Sequence, residues 1–217
     1  MKSFNIYFIC IFATVICVSS CKTYKAKRVD AVGQLEMVKE NALLVRLNSH
    51  NNKVEALRKA SEFEEAERLL QNDIEENQKT IEAFRENYTF SKVYFFQSSD
   101  GNKLKNGEYD QVTLFDTDNN EIHDKAFLKN GYLVATFSSV YQYQLVYEDG
   151  EQIRVPIAGI GGLPALVVLD KDYIQLSNPF PFRVPTMYNE DFKKGAVKEL
   201  DLQFHQFYRK HVWRIID

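Results

Sequence analysis

Residues 81–97 read IEAFRENYTFSKVYFFQ, and the chain changes its pattern within them. On the N-terminal side, residues 30–88 contain no proline and a single glycine, and are rich in the Glu, Leu, Ala, Lys and Arg that helices favour. On the C-terminal side, where all five prolines lie, apolar residues begin to alternate with polar ones. We therefore place a boundary near residue 88, between a helical region at 30–88 and a β-rich domain at 89–217.

The helical region carries its apolar residues at helical spacing in two stretches. The first contains Ala31, Leu35, Val38, Ala42 and Val45, with Leu43 and Leu47 beside them, and the second contains Phe63, Leu70, Ile74, Ile81, Phe84 and Tyr88. Residues 48–52 between them read NSHNN, and such side chains favour caps and turns. The pattern predicts two helices joined near His50 and packed by Leu35, Val38, Leu70, Ile74 and Ile81. A helical hairpin hides both stripes, and a single coiled-coil-like stalk is the alternative.

The β-rich domain alternates with a period of two over several short stretches. Eight candidate strands result: Phe90–Gln97, Tyr109–Asp116, Glu121–Leu128, Tyr132–Ser138, Tyr141–Glu148, Gln152–Ile157, Pro164–Leu169 and Tyr173–Leu176. The dipeptides Asn130-Gly131 and Asp149-Gly150 predict tight hairpins, because such pairs favour turns whose twist matches that of the strands. Short strands at near-even spacing are typical of an antiparallel β-sandwich or an open barrel.

Two further segments complete the predicted fold. Residues 165–169, ALVVL, do not alternate, which predicts a central strand buried on both faces. A closing C-terminal helix is predicted from Val197, Leu200, Phe204, Phe207 and Tyr208, although the alternation of Leu200, Leu202 and Phe204 also fits a strand. The predicted class is α+β, with an N-terminal helical hairpin or coiled-coil-like stalk, an antiparallel sandwich or open barrel, and a C-terminal helix.

The first 21 residues predict where the protein resides. An apolar run at 6–18 follows Lys2 and is too short to cross a bilayer as a helix, which is typical of a signal peptide. Residues 18–21, VSSC, directly after this run, resemble the lipobox of bacterial lipoproteins. The resemblance implies that 1–20 are removed and that Cys21 becomes the lipidated (palmitate-type acylated) N-terminus. Ordinary cleavage after Ser20 and an uncleaved short anchor are the alternatives.

The residues after Cys21 predict how the anchor meets the membrane. Residues 21–29 form a basic tether, since Lys22, Lys25, Lys27 and Arg28 precede the first acidic residue. Anionic headgroups attract such a segment, although a solvated linker explains it equally well. Lipoproteins of the Bacteroidota type, which this chain resembles, usually carry acidic residues here when they are exported to the cell surface. The basic tether therefore favours an outer-membrane anchor that faces the periplasm.

Composition and motifs exclude several kinds of chemistry. A formal net charge of −3 disfavours nucleic-acid binding, because no basic excess neutralises phosphates. All three cysteines lie within residues 1–21, so a processed chain has no disulfide and no thiolate nucleophile. The histidines show no metal-binding spacing, and Asp116–Asn120 starts like a calcium loop but lacks its glycine and glutamate, so a turn is predicted there. We therefore predict no metal site, no cofactor and no catalytic residue.

Aromatic residues are the remaining candidates for a binding site. Tyr141, Tyr143 and Tyr147 share one face of a predicted strand, and Phe180 and Phe182 lie in a proline-rich loop. Such rings supply contact area for a protein or glycan partner, although packing into the core is the simpler interpretation. The sequence predicts a lipid-anchored envelope protein that serves as a non-catalytic binding or assembly module. A periplasmic hydrolase whose site forms only in the fold is the alternative.

Overall fold

The computed structural model describes residues 29–140, 143–148, 151–156, 163–186 and 192–211, with the backbone alone for 139–140, 143–148, 151–156 and 163. The helices are α1 (29–40), α2 (Asn51–Lys59), α3 (Phe63–Asn87), α4 (Gly101–Lys105) and α5 (Phe192–His211). The strands are β1 (Leu43–Leu47), β2 (Val93–Gln97), β3 (Leu133–Val140), β4 (Tyr143–Glu148), β5 (Glu151–Pro156), β6 (Leu163–Leu169) and β7 (Arg183–Pro185). Short 3-10 turns lie at Ser98–Asp100, Tyr109–Gln111 and Ala126–Asn130.

Five of these strands form one open sheet in the order β2-β1-β3-β6-β7. β1 runs parallel to both β2 and β3, whereas β6 is antiparallel to β3 and to β7. β4 and β5 form a separate antiparallel pair. The described part of the chain is therefore a mixed α and β structure, which agrees with the predicted α+β class at that level.

Helices cover one face of the sheet. The odd-numbered residues of β1, Leu43, Val45 and Leu47, point to this face and are buried with Leu133, Ala135, Leu166 and Val168. Against them pack Leu35 and Val38 of α1, Ile81 and Phe84 of α3, and Val197, Leu200 and Phe204 of α5. Because one shared core joins these three helices to the sheet, α1 and α3 do not stand apart from the strands that follow them.

The connection from β2 to β3 covers the other face. Leu44, Phe96 and Val134 are buried beneath Leu104, Val112, Leu114, Leu128 and Tyr132. Gly131 brings this connection into β3 with a φ of 101°, a left-handed conformation that side-chain-bearing residues rarely adopt. A Cβ atom at this position would also collide with Sδ of Met37 on α1.

The helical prediction for residues 43–47 is wrong, since these residues form β1. The run LLVRL fits a period of two as well as a helical stripe, and hydrogen bonding to β2 and β3 decides between the two. The sheet therefore crosses the compositional boundary near residue 88. Of the residues predicted to pack the helical region, Leu35, Val38 and Ile81 are buried, whereas Ile74 is 54% exposed.

The structure bears out five of the eight predicted strands, at the positions of β2 to β6. The predictions for Tyr109–Asp116, Glu121–Leu128 and Tyr173–Leu176 are wrong: these stretches hold turns and isolated bridges at Phe115, Glu121 and Gln175. The β-hairpin predicted at Asn130-Gly131 is likewise absent, because a 3-10 turn precedes the glycine. Glu148 and Glu151 are paired in register, as the hairpin predicted at Asp149-Gly150 requires. Residues 149 and 150 themselves lie outside the described ranges.

Two predictions for the C-terminal part are confirmed. Ala165, Leu166, Val167 and Val168 are all buried, and β6 has a neighbour on each side. The closing helix extends over Phe192–His211 and buries Val197, Leu200 and Phe204. The predicted antiparallel sandwich or open barrel is not confirmed. The described strands instead form an open mixed sheet, in which β1 lies between β2 and β3 and runs parallel to both.

Candidate functional site

A cleft of about 520 Å³ opens where the parallel strands β1 and β2 end. Ser49 and His50 follow β1, Ser98 follows β2, and Thr136 and Ser138 lie in the middle of β3. In open sheets with parallel strands, ligands bind at this carboxyl edge. We call this feature the strand-end cleft; its polar lining includes Arg46, Ser49, His50, Ser98, Thr136, Ser138, Tyr173 and Gln175.

A buried carboxylate holds His50 in place. Asp73 of α3 is only 6% exposed, and its Oδ1 lies 2.7 Å from Nδ1 of the imidazole. Its Oδ2 accepts a hydrogen bond of 2.9 Å from the backbone N–H of His50. With the carboxylate on Nδ1, that nitrogen carries a proton and Nε2 is left for other partners. The His50 side chain is half exposed, so its ring remains accessible from the cleft.

A second side chain of α3 fixes the same rim of the cleft. Asn77 accepts a hydrogen bond from the backbone N–H of Asn48 and donates one to its carbonyl, each 2.8 Å long. Asn77 is four residues after Asp73, so both side chains lie on one side of α3. Residues 48–50 are therefore held through their backbone, which preorganises the wall of the cleft.

Arg46 supplies positive charge to the cleft. It alternates with Val45 and Leu47 on β1 and so points away from the helix-covered face. Val45 pairs with Ala135, and this parallel register brings Arg46 beside Thr136 on β3. Its Nε is buried without a hydrogen-bond partner, and its Cζ lies 5.7 Å from the centre of the Tyr173 ring. The guanidinium thus lies beside a ring and has no ion-pair partner within the part of the chain that the structure describes.

Tyr173 is held over Arg46 by a tight turn. Oδ1 of Asp170 accepts hydrogen bonds from the backbone N–H groups of Asp172 and Ile174, and Tyr173 between them has a φ of 62°. Its hydroxyl donates a hydrogen bond of 3.1 Å to the carbonyl of Gly101. Burial raises the pKa of Tyr173, with the charge of Arg46 acting in the opposite direction. A left-handed backbone at a non-glycine residue costs free energy and is often found at ligand sites.

The predicted aromatic site residues lie elsewhere. Tyr141 is outside the described residues, as are the side chains of Tyr143 and Tyr147, whose backbone lies in β4 opposite Pro156 and Gln152. The prediction for Phe180 needs correction: its ring is 1% exposed and packs edge-on against Phe204, which makes it a core residue. Cys21 and the predicted tether at 21–29 up to residue 28 also lie outside the described ranges.

The loop that carries Phe182 borders a second groove. Phe182 is partly buried against the core, with the guanidinium of Arg183 5.4 Å from its ring. Beside it, Pro179, Pro181, Gln203 and Phe207 line a groove of about 570 Å³ between the loop and α5. The proline-rich loop thus lines a groove, as a binding loop would. The rings of Phe180 and Phe182, however, pack in or against the core.

The motif at Asp116–Asn120, which starts like a calcium loop, forms a hydrogen-bonded turn. Asp116 accepts hydrogen bonds from the backbone N–H groups of Asp118 and Asn120, and its pKa is lowered mainly by the bond from the Asn120 side chain. This turn is the one predicted in place of a calcium loop. Over the part of the chain that the structure describes, no three acidic, histidine or cysteine side chains gather as metal ligands.

Sequence reasoning missed Arg46, His50, Asp73 and Tyr173 as site residues. The one available signal was Asn77, a polar residue within the apolar face of the stretch that forms α3. Its amide binds the backbone of Asn48.

Comparison of the chain with protein-family models, with curated proteins and with solved structures found no match. None of the helices in the described ranges is both long and apolar enough to cross a membrane.

Proposed function

We propose that this protein is a lipid-anchored envelope protein whose folded part binds a small polar ligand in the strand-end cleft. Support for the anchor comes from the leader and the VSSC motif at 18–21. The part of the tether that precedes α1, residues 21–28, reaches at most roughly 30 Å when extended, which keeps the fold near the membrane.

One observation carries the binding proposal. Arg46, His50 and several hydroxyl groups line a single cleft at the carboxyl edge of the parallel strands. Such edges collect ligands because the strands end there together and their following loops diverge. The wall is held by Asp73 and Asn77 through the backbone of residues 48–50, so the donors are fixed before a ligand arrives.

A nuclear magnetic resonance titration of the full chain in detergent tests this proposal. Small sugars, amino acids, carboxylates and phosphate esters are added in turn, and the amide shifts of residues 48–50, 98 and 136–138 are followed. Thr136→Val removes one lining hydroxyl with little change of shape and should weaken binding. Thr113→Val, outside the cleft lining, is the matched control. Shift changes that spread over the surface without saturation contradict a site in the cleft.

Hydrolysis is the second candidate function, and the His50–Asp73 pair favours it. A buried carboxylate on Nδ1 orients the imidazole so that Nε2 can take a proton from water or from a hydroxyl group. Ser49 and Ser98 line the same cleft, and Ser98 donates a hydrogen bond to the carbonyl of Ser49. Turnover of ester or phosphoester substrates that is lost in His50→Gln and reduced in Asp73→Asn would establish this function.

A further inference from the structure

We propose that the ligand of the strand-end cleft carries an oxyanion, a carboxylate or a phosphate ester, and that Arg46 is the residue that binds it. This inference rests on the proposed binding function and narrows it to one chemical class. Its basis is a guanidinium group at the cleft whose Nε is buried and without a hydrogen-bond partner.

The state of Arg46 is unusual for a partly buried charge. A buried N–H of a cation that makes no hydrogen bond is costly, so proteins normally pair it with a carboxylate, a carbonyl or water. Among the described residues Arg46 has no ion-pair partner, and its only aromatic neighbour at cation–π distance is Tyr173. The strand therefore holds a cation at the cleft whose Nε–H makes no hydrogen bond among the described residues.

The carboxylate that holds His50 at the cleft is already engaged. Asp73 uses both carboxylate oxygens on His50, one on the ring and one on the backbone N–H. An external oxyanion is then the group that satisfies Arg46, since a guanidinium fork matches two oxygens of a carboxylate or phosphate. Thr136 and Ser138 in the same cleft offer further hydroxyl donors to the same group.

The rest of the described chain offers no comparable site. Lys193, the buried cation among the described residues, is engaged with Glu76 and Thr80. Arg85 donates to the carbonyl of Thr117, and Arg68 is paired with Glu65 at the surface. Of the cations in the described ranges, Arg46 combines a buried donor without a hydrogen-bond partner with a position in a concave surface.

The Nε–H resonance of Arg46 provides a direct test, because this proton shifts downfield when an oxyanion accepts from it. The full chain in detergent is titrated with phenyl phosphate, with benzoate and with methyl glucoside as the uncharged probe. We expect saturable shifts of this resonance with at least one of the two anions and none with the glucoside. The anion that binds more tightly, phenyl phosphate or benzoate, indicates whether the natural ligand carries a phosphate or a carboxylate.

Two variants check that the charge and its fork are responsible. Arg46→Gln should weaken anion binding by about tenfold or more, and Arg46→Lys should restore only part of it. Arg85→Gln, which removes an arginine outside the cleft, should bind as the wild type does. If a variant loses its fold, the wild-type titration with the three probes still decides the question.

The outcomes separate this inference from the binding function on which it rests. Saturable binding of the glucoside at residues 48–50 and 136–138, with no anion effect on Arg46, overturns the oxyanion inference and leaves the cleft as a binding site. Anion binding that is unchanged in Arg46→Gln also overturns it. If none of the probes nor any compound of the wider panel perturbs the cleft, the inference and the proposed function both fail.

Discussion

The ammonium group of Lys193 on α5 lies 2.9 Å from a carboxylate oxygen of Glu76 on α3. The same group donates to the hydroxyl of Thr80 at 2.8 Å and to the backbone carbonyl of Glu76 at 2.7 Å, so it ties two helices of the same face together. Burial lowers the pKa of Lys193 below its ordinary value of 10.5, although the bond to Glu76 opposes the change. The unfolded chain therefore binds this proton more tightly than the folded one does.

Lys193→Met should change how stability depends on pH. Between the lowered pKa and about 10.5 the unfolded state holds more protons, so the unfolding free energy of the wild type rises with pH through this window. The variant lacks the titrating group, and its stability relative to wild type should fall as the solution becomes alkaline. Urea unfolding at several pH values measures the difference, with Lys194→Met as a more exposed control. A difference that is flat from neutral pH to 10.5 contradicts the expectation.

Asp73→Ala should destabilise the protein by about 1–3 kcal/mol, because it leaves the backbone N–H of His50 without its acceptor. Glu75→Ala, an exposed carboxylate two residues later, should have little effect. Chemical unfolding followed by circular dichroism distinguishes the two. Equal stability of both variants would show that Asp73 does not hold the rim of the cleft.

Gly131→Ala should destabilise the fold for two reasons that can be separated. The left-handed backbone costs about 1–2 kcal/mol with any L side chain, and the new methyl group collides with Met37. Overpacking of this kind costs about 1–3 kcal/mol more. Shortening the partner in Gly131→Ala/Met37→Ala removes the collision but keeps the backbone strain. Thermal melts of both, compared with Met37→Ala alone, should show a smaller cost of the alanine when Met37 is absent.

Phe180→Ala should cost about 3–5 kcal/mol, as expected for a buried ring that packs on Phe204 and Phe207. Phe182→Ala should cost clearly less, because that ring is only partly buried. A binding role for Phe180 predicts the opposite, a stable protein with weakened ligand capture. The unfolding free energies of both variants therefore show whether Phe180 is a core residue or a surface residue that binds a ligand.

Cys21→Ala should abolish lipid attachment, since the lipobox resemblance places the acylated sulfur at this residue. Metabolic labelling with a radioactive fatty acid in a bacterial host measures the attachment directly. The variant should be exported yet remain unlabelled, and Cys17→Ala, within the leader, should be labelled as the wild type is. Equal labelling of the Cys21 variant and wild type would remove the anchor from the proposal.

The sequence predicted the long helices better than the sheet. Residues 63–87 and 192–211 are long amphipathic stretches without proline, and both fold as predicted helices. β1 is only five residues long, so its apolar run fits either a helix or a strand, and pairing with distant strands makes the choice. The stretches around Phe115 and Glu121 alternate like strands but form only isolated bridges, since turns interrupt the ladders.

The candidate site was beyond local pattern analysis for a related reason. Arg46 and Thr136 become neighbours through strand register, and His50 meets Asp73 because α2 folds back onto α3. None of these pairs has a characteristic spacing along the chain. Asn77 was visible as a polar break in an apolar face, but its purpose appears only once the backbone of Asn48 lies opposite.

The position of β1 between β2 and β3 also affects how the chain folds during synthesis. Leu43 emerges early in synthesis, yet its partners at Val93 and Leu133 are added much later. Until then the apolar residues of β1 have no partner strand on either edge. Because the pairing of β1 with β2 and β3 closes long loops, we expect folding to be slow. A fragment that starts at residue 89 would keep β2 and β3 but lack the strand that separates them, and would be prone to associate edge to edge.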